Sequence, residues 1–177
     1  MNEVKIITAV ETELISTATA KSYLKVDHVD ENELIDDLIK ASREQIEKWC
    51  GVSIGEQERQ WIVDIEEETE IPYGPIVISE DDELTASLKD SDGYEEMTID
   101  DDYELESDAQ FVTFTPGTSG RWKLEYTCGY TADTLPSGLK IIWLQLIAFL
   151  YLNRGNEGVE MPSQIKYALN PYKRSLI

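Results

Sequence analysis

The most apolar segment of the chain runs from Leu135 to Asn153 and reads LPSGLKIIWLQLIAFLYLN. A helix can begin there, because proline fixes φ near its helical value and the hydroxyl of Ser137 can cap the first turn. At helical spacing, the apolar side chains of this segment fall on two opposite faces. One face comprises Leu139, Ile142, Trp143, Leu146 and Leu150, and the other comprises Ile141, Leu144, Ala148 and Leu152. A helix that is apolar on every side is expected to be buried on every side.

Two explanations of the second apolar face remain once a membrane span is set aside. At about 1.5 Å per residue the run is roughly 20 Å long, too short to cross roughly 30 Å of hydrocarbon. The helix therefore either lies at the centre of a monomeric core, or packs one face on its own subunit and the other on a neighbouring copy. The residues predicted to carry core or inter-subunit packing are Leu34, Leu38, Trp49, Trp143, Leu146, Ile147 and Leu150.

Two helices are predicted in the N-terminal third of the chain. Ser16 or Thr17 can cap a short helix that ends near Leu24. A long helix follows, and the spacing from Asp30 to Glu33 at its start matches a capping box. The pattern before the first helix predicts only an irregular or extended lead-in.

The ends of the predicted helices also have local signals. The long helix is expected to extend to Trp49, with Gly51 as the left-handed residue that follows it. Near the other end of the chain, residues 163–169 form a last short helical pattern, which Pro171 ends.

Between Arg59 and Thr127 the pattern changes from helical spacing to short β-prone runs: RQWIVDI, PIVIS, LTASLK, QFVTFT and RWKLEYT. The predicted fold class is therefore α+β. A helical core (short helix, long helix, apolar C-terminal helix, short last helix) holds an inserted small antiparallel β-region. We expect a single domain over residues 1–177, made of a helical part (1–56), an acidic β-rich insert (57–130) and a C-terminal helical part with its tail (131–177).

The chain is strongly acidic, with a formal net charge of −21. This charge argues against electrostatic binding to a DNA backbone or an anionic membrane, although DNA can still pass close by without adhering. Nineteen acidic residues lie between Asp64 and Asp108, against the single Lys89. The acidic runs in this insert are interpreted first as a solvated face, with a channel lining or a mimic of DNA phosphates as alternatives. The candidates for channel-facing positions are Asp100, Asp101 and Asp102.

No residue pattern indicates catalysis, a cofactor or a metal. The two cysteines, Cys50 and Cys128, are far apart, and His28 is the single histidine, so a zinc site of the usual ligand set is not expected. The acidic linker around His28 lacks the spacing of a calcium loop, and the chain has no phosphate-binding glycine motif. No signal peptide is recognisable, so we expect an intracellular, reducing environment with both thiols free.

Two blocks of sequence resemble the head–tail connector (adaptor) proteins of long-tailed bacteriophages. The first is TATAKSYLKVDHVDENELIDDLIKASREQIEKWCG, and the second is GYTADTLPSGLKIIWLQLIAFLYLNRG followed by MPSQIKYALNPYKR. The positions that match the family pattern are Lys21, Leu24, Val26, Asp27, Gly129, Tyr130, Leu135, Pro136, Tyr151, Arg154, Pro171, Tyr172 and Lys173. At Lys173 the family pattern leads us to expect arginine, and the acidic insert has no counterpart in the pattern.

The resemblance implies a non-enzymatic structural protein of the virion neck that is assembled in the bacterial host cytoplasm. It implies a ring of about twelve subunits beneath the capsid portal, with a further neck or tail protein below and genomic DNA passing through the channel without specific binding. No membrane is involved.

The basic, aromatic end of the chain is a frayed terminus or a docking peptide for the portal or the next neck protein, and the resemblance favours docking. The residues concerned are Tyr167, Pro171, Tyr172, Lys173 and Arg174. The alternative function, from another class, is an acidic DNA-mimic inhibitor that binds a DNA-binding enzyme.

Overall fold

The computed structural model describes residues 3–65, 69–77, 84–98, 102–105, 111–114, 120–155 and 160–174. Within these ranges the helices are α1 (Thr17–Leu24), α2 (Asn32–Cys50), α3 (Ser137–Leu152) and α4 (Ser163–Leu169), followed by a 3₁₀ turn at Asn170–Tyr172. The strands are β1 (Glu3–Thr8), β2 (Gln57–Ile65), β3 (Thr69–Glu70), β4 (Thr85–Asp90), β5 (Gly93–Glu96), β6 (Tyr103–Leu105), β7 (Phe111–Phe114) and β8 (Gly120–Cys128).

The fold class is α+β, as predicted, but the β-structure is larger than the expected small insert. One antiparallel sheet has five strands in the order β1-β2-β8-β4-β5, and a second has three in the order β3-β7-β6. The extended lead-in is a regular strand: β1 pairs with β2 from Glu3 opposite Ile62 to Ile6 opposite Arg59. The sheet therefore begins outside the segment 57–130.

The expectation of a single helical core is corrected by the packing, because the chain has two hydrophobic clusters. One joins the helices around Ile35, Ile46, Trp143 and Leu146. The other lies on the sheets and includes Trp122, which is fully buried. The alternation of buried and half-buried residues along β8 places one face of that strand in the second cluster.

At the helix ends, Ser16 and Gly51 act as predicted and α4 spans Ser163–Leu169 as predicted, whereas the other two N-cap predictions are wrong. The Ser16 hydroxyl accepts a hydrogen bond from the Thr19 N–H, and Gly51 follows α2 with φ of 68°. The capping box is absent: α2 begins at Asn32, and Glu31 at its N-cap makes no side-chain capping bond. Ser137 is likewise the first residue of α3 and not its cap.

The structure explains why a glycine precedes Tyr130 at the end of β8. Gly129 has φ of 131°, and a Cβ there would lie 2.0 Å from the carbonyl oxygen of Gly55, so only glycine fits. Next to it, the Tyr130 N–H donates to the Ser53 carbonyl at 3.0 Å, and the Gly55 N–H donates to the Tyr130 carbonyl at 2.9 Å. The pair thus joins the end of β8 to the segment that follows α2.

Helices α2 and α3 meet through a tryptophan. The Trp143 indole N–H lies 2.8 Å from the Ser42 hydroxyl and 3.3 Å from the Ile39 carbonyl, and all three residues are buried. A buried indole N–H needs an acceptor, so these bonds fix which face of α3 points at α2.

A buried carboxylate joins the helices to the sheet. Glu47, near the end of α2, is only 4% exposed. One of its oxygens accepts from the Ile54 N–H at 2.7 Å and from Gln57 Nε2 at 2.9 Å. The other accepts from Arg43 Nη1 at 3.0 Å and lies 3.9 Å from Arg59 Nη2. Donors from α2, from the following loop and from β2 therefore converge on one side chain.

The charges of this network balance. Arg43 Nε also donates to Glu13 at 2.9 Å, so two arginines face two carboxylates. Burial raises the pKa of Glu47, and the nearby Arg43, the Ile54 N–H and Arg59 oppose that rise. Burial lowers the pKa of Arg43, but the charges of Glu47 and Glu13 outweigh it and raise that pKa above its ordinary value. Removal of one member leaves the others buried and uncompensated.

The two thiols are structural, as both cysteines are free and buried. Burial raises the pKa of Cys50 to about 11, and burial also raises the pKa of Cys128. Cys128 Sγ lies 3.2 Å from the Ser53 hydroxyl, which in turn accepts a hydrogen bond from Arg59 Nε.

We expect Glu47→Ala to lower the free energy of unfolding by about 3–5 kcal/mol, because it leaves Arg43 and Arg59 buried without their shared partner. Glu44→Ala, at an exposed position of the same helix, should stay within about 0.5 kcal/mol of the parent chain. Urea denaturation followed by tryptophan fluorescence measures both. Equal losses in the two variants would show that Glu47 does not hold the helices to the sheet.

Candidate assembly surfaces

The outward face of α3 carries two large apolar side chains that the described residues leave exposed. Ile141 is 53% exposed and Leu152 is 77% exposed. Gln145 between them is exposed, and Ala148 is half-buried. These four residues follow one another at spacings of four, three and four, so they line one side of the helix. We call them the outer stripe.

The opposite face of α3 is filled by its own subunit. Trp143, Leu146 and Ile147 are fully buried, and Leu150 is half-buried against the helical cluster. On α2, Leu34 and Leu38 are half-buried. The residues chosen from the sequence for packing are therefore largely those of the subunit core. The second apolar face predicted from the sequence is only partly exposed. Ile141 and Leu152 face outward, whereas Leu144 is half-buried against the helical cluster and Ala148 is half-buried.

Several residues of the connector-like pattern converge on the linker between α1 and α2. Lys21 Nζ donates to the His28 carbonyl at 2.5 Å and to Asn32 Oδ1 at 2.8 Å. From the other side, Arg154 Nη2 lies 3.4 Å from Glu31 Oε1 and the Arg154 guanidinium stacks over a tyrosine ring of α3 at 4.4 Å. These contacts tie the linker to the first and third helices.

That tyrosine, Tyr151, also binds the linker through its hydroxyl, which donates to the Glu31 carboxylate. This hydrogen bond raises the pKa of the Tyr151 hydroxyl. A carboxylate acceptor and a stacked guanidinium give the end of α3 a fixed position relative to the linker.

The C-terminal segment lies against its own subunit as far as Arg174. The Arg174 N–H donates to the Cys50 carbonyl at 2.7 Å, and its Nε donates to Glu70 at 2.9 Å. The Tyr172 hydroxyl lies against Gly138, in the first turn of α3, where a Cβ would come within 2.3 Å of it. The tail is thus held between the start of α3, the end of α2 and β3.

Other residues of the same segment face outward. Tyr167 is 79% exposed, and Pro171 is exposed. Lys173 is exposed as well, with its Nζ 4.9 Å from the centre of the Trp49 ring. Lys166 Nζ approaches the same ring at 5.2 Å, so Trp49 serves this end of the chain as an aromatic support for two cations.

Of the three acidic candidates for a channel lining, Asp100 and Asp101 lie outside the described residues. Asp102 is half-buried, and its carboxylate accepts from the Thr98 N–H at 2.9 Å. The Asp102 N–H in turn donates to the Thr98 carbonyl, so both the side chain and the main chain of Asp102 bind Thr98.

The described part of the chain offers no group of three or more His, Cys, Asp or Glu side chains arranged to hold a metal ion. None of its helices combines the length and the apolarity that a membrane crossing requires.

A family model for head completion proteins matches residues 13–175, which takes in everything from before α1 to the end of the docked tail. The chain belongs to the head completion protein family. This membership confirms the connector resemblance of the sequence blocks and indicates a structural role in a phage-like particle. No curated protein matches the chain in sequence.

Solved structures of gene transfer agent particles share the fold of this family member. A chain in the neck of the empty particle, computed with C6 symmetry, has a TM-score of 0.75 at 16% identity, covering 99% of this chain and 97% of the other. A chain of the native virion has the same score and identity, with coverage of 98% and 96%. A chain in the native neck, computed with C12 symmetry, scores 0.72 at 16% identity, with coverage of 99% and 97%.

The two faces of α3 should respond differently to truncation in the isolated subunit. We expect Leu146→Ala to lower the free energy of unfolding by about 2–5 kcal/mol, because it opens a cavity in the helical cluster. Leu152→Ala should change it by less than about 0.5 kcal/mol, because Leu152 is already in water. Urea denaturation of the monomer compares them. A large loss from Leu152→Ala would mean that the outer stripe is covered within the subunit.

Proposed function

We propose that this head completion protein is a structural neck protein that assembles as a closed ring, joins the capsid portal to the tail and lets genomic DNA pass. The observation that carries the proposal is the outer stripe of α3, which exposes two large apolar side chains on an otherwise well-packed helix. Family membership favours this structural role over that of a DNA-mimic inhibitor.

The outer stripe is suited to a contact between neighbouring copies. Full burial of a Leu or Ile side chain is worth about 1.5–3 kcal/mol, so Ile141 and Leu152 together supply a useful part of an interface. In a ring, one side of each subunit contacts a different side of the next. The outer stripe lies on one side of the subunit and can supply one of these two surfaces.

The size of the ring and its place in the particle draw support from the structural likeness. Two of the similar chains come from necks computed with C6 and C12 symmetry. A ring of about twelve copies is compatible with the C12 symmetry of one of these necks. We propose that the ring is assembled in the host cytoplasm. A net charge of −21 keeps subunits soluble and keeps DNA from adhering as it passes.

The C-terminal segment supplies the contact with the portal or the next neck protein. Tyr172 and Arg174 hold the segment on its own subunit, and Tyr167, Pro171 and Lys173 are left facing outward. Exposed tyrosine side chains are common anchors in protein interfaces. The tail is thus bound to its own subunit on one side and exposed to a partner on the other.

Charge on the outer stripe should block ring assembly without unfolding the subunit. We expect Ile141→Glu and Leu152→Glu to weaken assembly with purified portal by about tenfold or more, because a carboxylate cannot be buried in an apolar contact. Analytical ultracentrifugation and negative-stain microscopy measure the assembled fraction.

The matched control is Gln164→Glu, which adds the same charge at an exposed position of α4. All three variants should unfold within about 2 °C of the parent. If the stripe variants form rings at the same concentration as the control, α3 does not contribute the interface.

Substitutions in the exposed and in the bound part of the tail should have different effects. Tyr167→Ala should leave the melting temperature unchanged and reduce the number of tailed particles in micrographs of assembly reactions. Arg174→Ala should instead lower subunit stability by about 1 kcal/mol, because the Glu70 pair is partly exposed. If particles made with Tyr167→Ala join tails normally, Tyr167 is not part of the docking surface.

A further inference from the structure

Strand β1 is an edge strand of the five-stranded sheet. It hydrogen-bonds to β2 on one side, and no described strand lies on its other side. Ile6 is 50% exposed and its neighbour Ile7 is 52% exposed. Val4, earlier in the strand, is half-buried against the sheet cluster, so the strand is exposed on both faces only at Ile6 and Ile7. Soluble proteins usually protect such an edge, because unpaired N–H and C=O groups accept a further strand.

A groove of about 600 Å³ continues from the end of β1. Its walls are residues 8–12, 55–58 and 131–133, together with Leu14 and Thr127. Val10 packs directly over Gly55, where an added Cβ would come within 2.7 Å of its side chain, so the segment after β1 stays close to the sheet. Thr8, the last residue of β1, also lines the groove, so the groove begins where the strand ends.

The groove is negatively charged. Glu11, Glu56, Glu58 and Asp133 line it and are exposed, and its described lining includes no lysine or arginine. Glu58 accepts a hydrogen bond from the Thr8 hydroxyl at 2.5 Å, which holds that carboxylate at the junction of strand and groove. Such a lining repels nucleic acid and attracts cationic side chains.

We propose that β1 and this acidic groove accept an extended, basic strand from a partner protein. The partner's main chain pairs with the open edge of β1, its apolar side chains cover Ile6 or Ile7, and its Lys or Arg side chains reach Glu11 and Asp133. This is strand addition with charge-based selection. It uses neither the outer stripe of α3 nor the tail, so it stands independently of the proposed ring.

The test uses the full-length protein and three labelled ten-residue peptides in fluorescence anisotropy. One alternates Val and Lys, one alternates Val and Glu, and one alternates Pro and Lys. The Pro/Lys peptide carries the same charge as the first but has no N–H on every second residue, so it pairs poorly as a strand. We expect the Val/Lys peptide to bind at least about tenfold more tightly than either of the others. Amide exchange should slow at residues 4–8 when it binds.

Charge reversal locates the site. The double variant Glu11→Lys with Asp133→Lys should weaken Val/Lys binding about tenfold or more. The double variant Glu33→Lys with Glu44→Lys, which makes the same charge change at exposed positions of α2, should bind as the parent does. Circular dichroism checks that both are folded.

Three results would overturn the proposal. Equal binding of the Val/Lys and Pro/Lys peptides would mean that charge alone attracts them. Equal weakening by the two double variants would place the site elsewhere. Protection of residues 4–8 that increases with protein concentration and without peptide would mean that the edge pairs with a second copy.

Discussion

The buried carboxylate of Glu47 is the contact on which the arrangement of this chain depends. It receives donors from α2, from the loop after it and from β2, and it offsets the charge of Arg43 while Arg59 lies close by. The helices and the sheets have separate hydrophobic clusters. Apolar contacts alone therefore do not specify the orientation of the helices relative to the sheets. A carboxylate with directional partners on both sides does specify it, because any other arrangement leaves charges buried and unpaired.

The position of α2 then determines which face of α3 reaches the surface. Trp143 can satisfy its indole N–H only where Ser42 and Ile39 present acceptors, so this pair sets the rotation of α3 about its axis. With that rotation, Leu146 points into the core and Leu152 points into water. An apolar face exposed in this way follows from the polar contacts on the other side of the helix.

Periodicity predicted α2 and α3, and short β-prone runs predicted β2, β4, β7 and β8, because those signals are local. The run PIVIS was predicted as β-structure, but in its described part Ile76 makes an isolated bridge to Cys128 outside the named strands. The pairing of β2 with β8 is not local: Trp61 lies opposite Leu124. The residues before α1 were predicted as an irregular or extended lead-in and not as a regular strand, because their apolar run is short and its residues Ile6 and Ile7 are exposed. Among 36 acidic residues, the sequence does not indicate that Glu47 is the buried one. The tail residues were recognisable, but that Arg174 pairs with Glu70 was not.

The strong negative charge of this protein opposes unwanted association through its exposed apolar surfaces. An apolar stripe and an open strand edge are aggregation risks when many copies accumulate. At a net charge of −21, unpartnered copies repel one another at long range, so weak contacts through either surface do not persist. Assembly then requires a partner that offsets the repulsion, through basic side chains or through many contacts made at once. On the proposed function, the same charge that keeps DNA from adhering also delays ring closure until the portal is present.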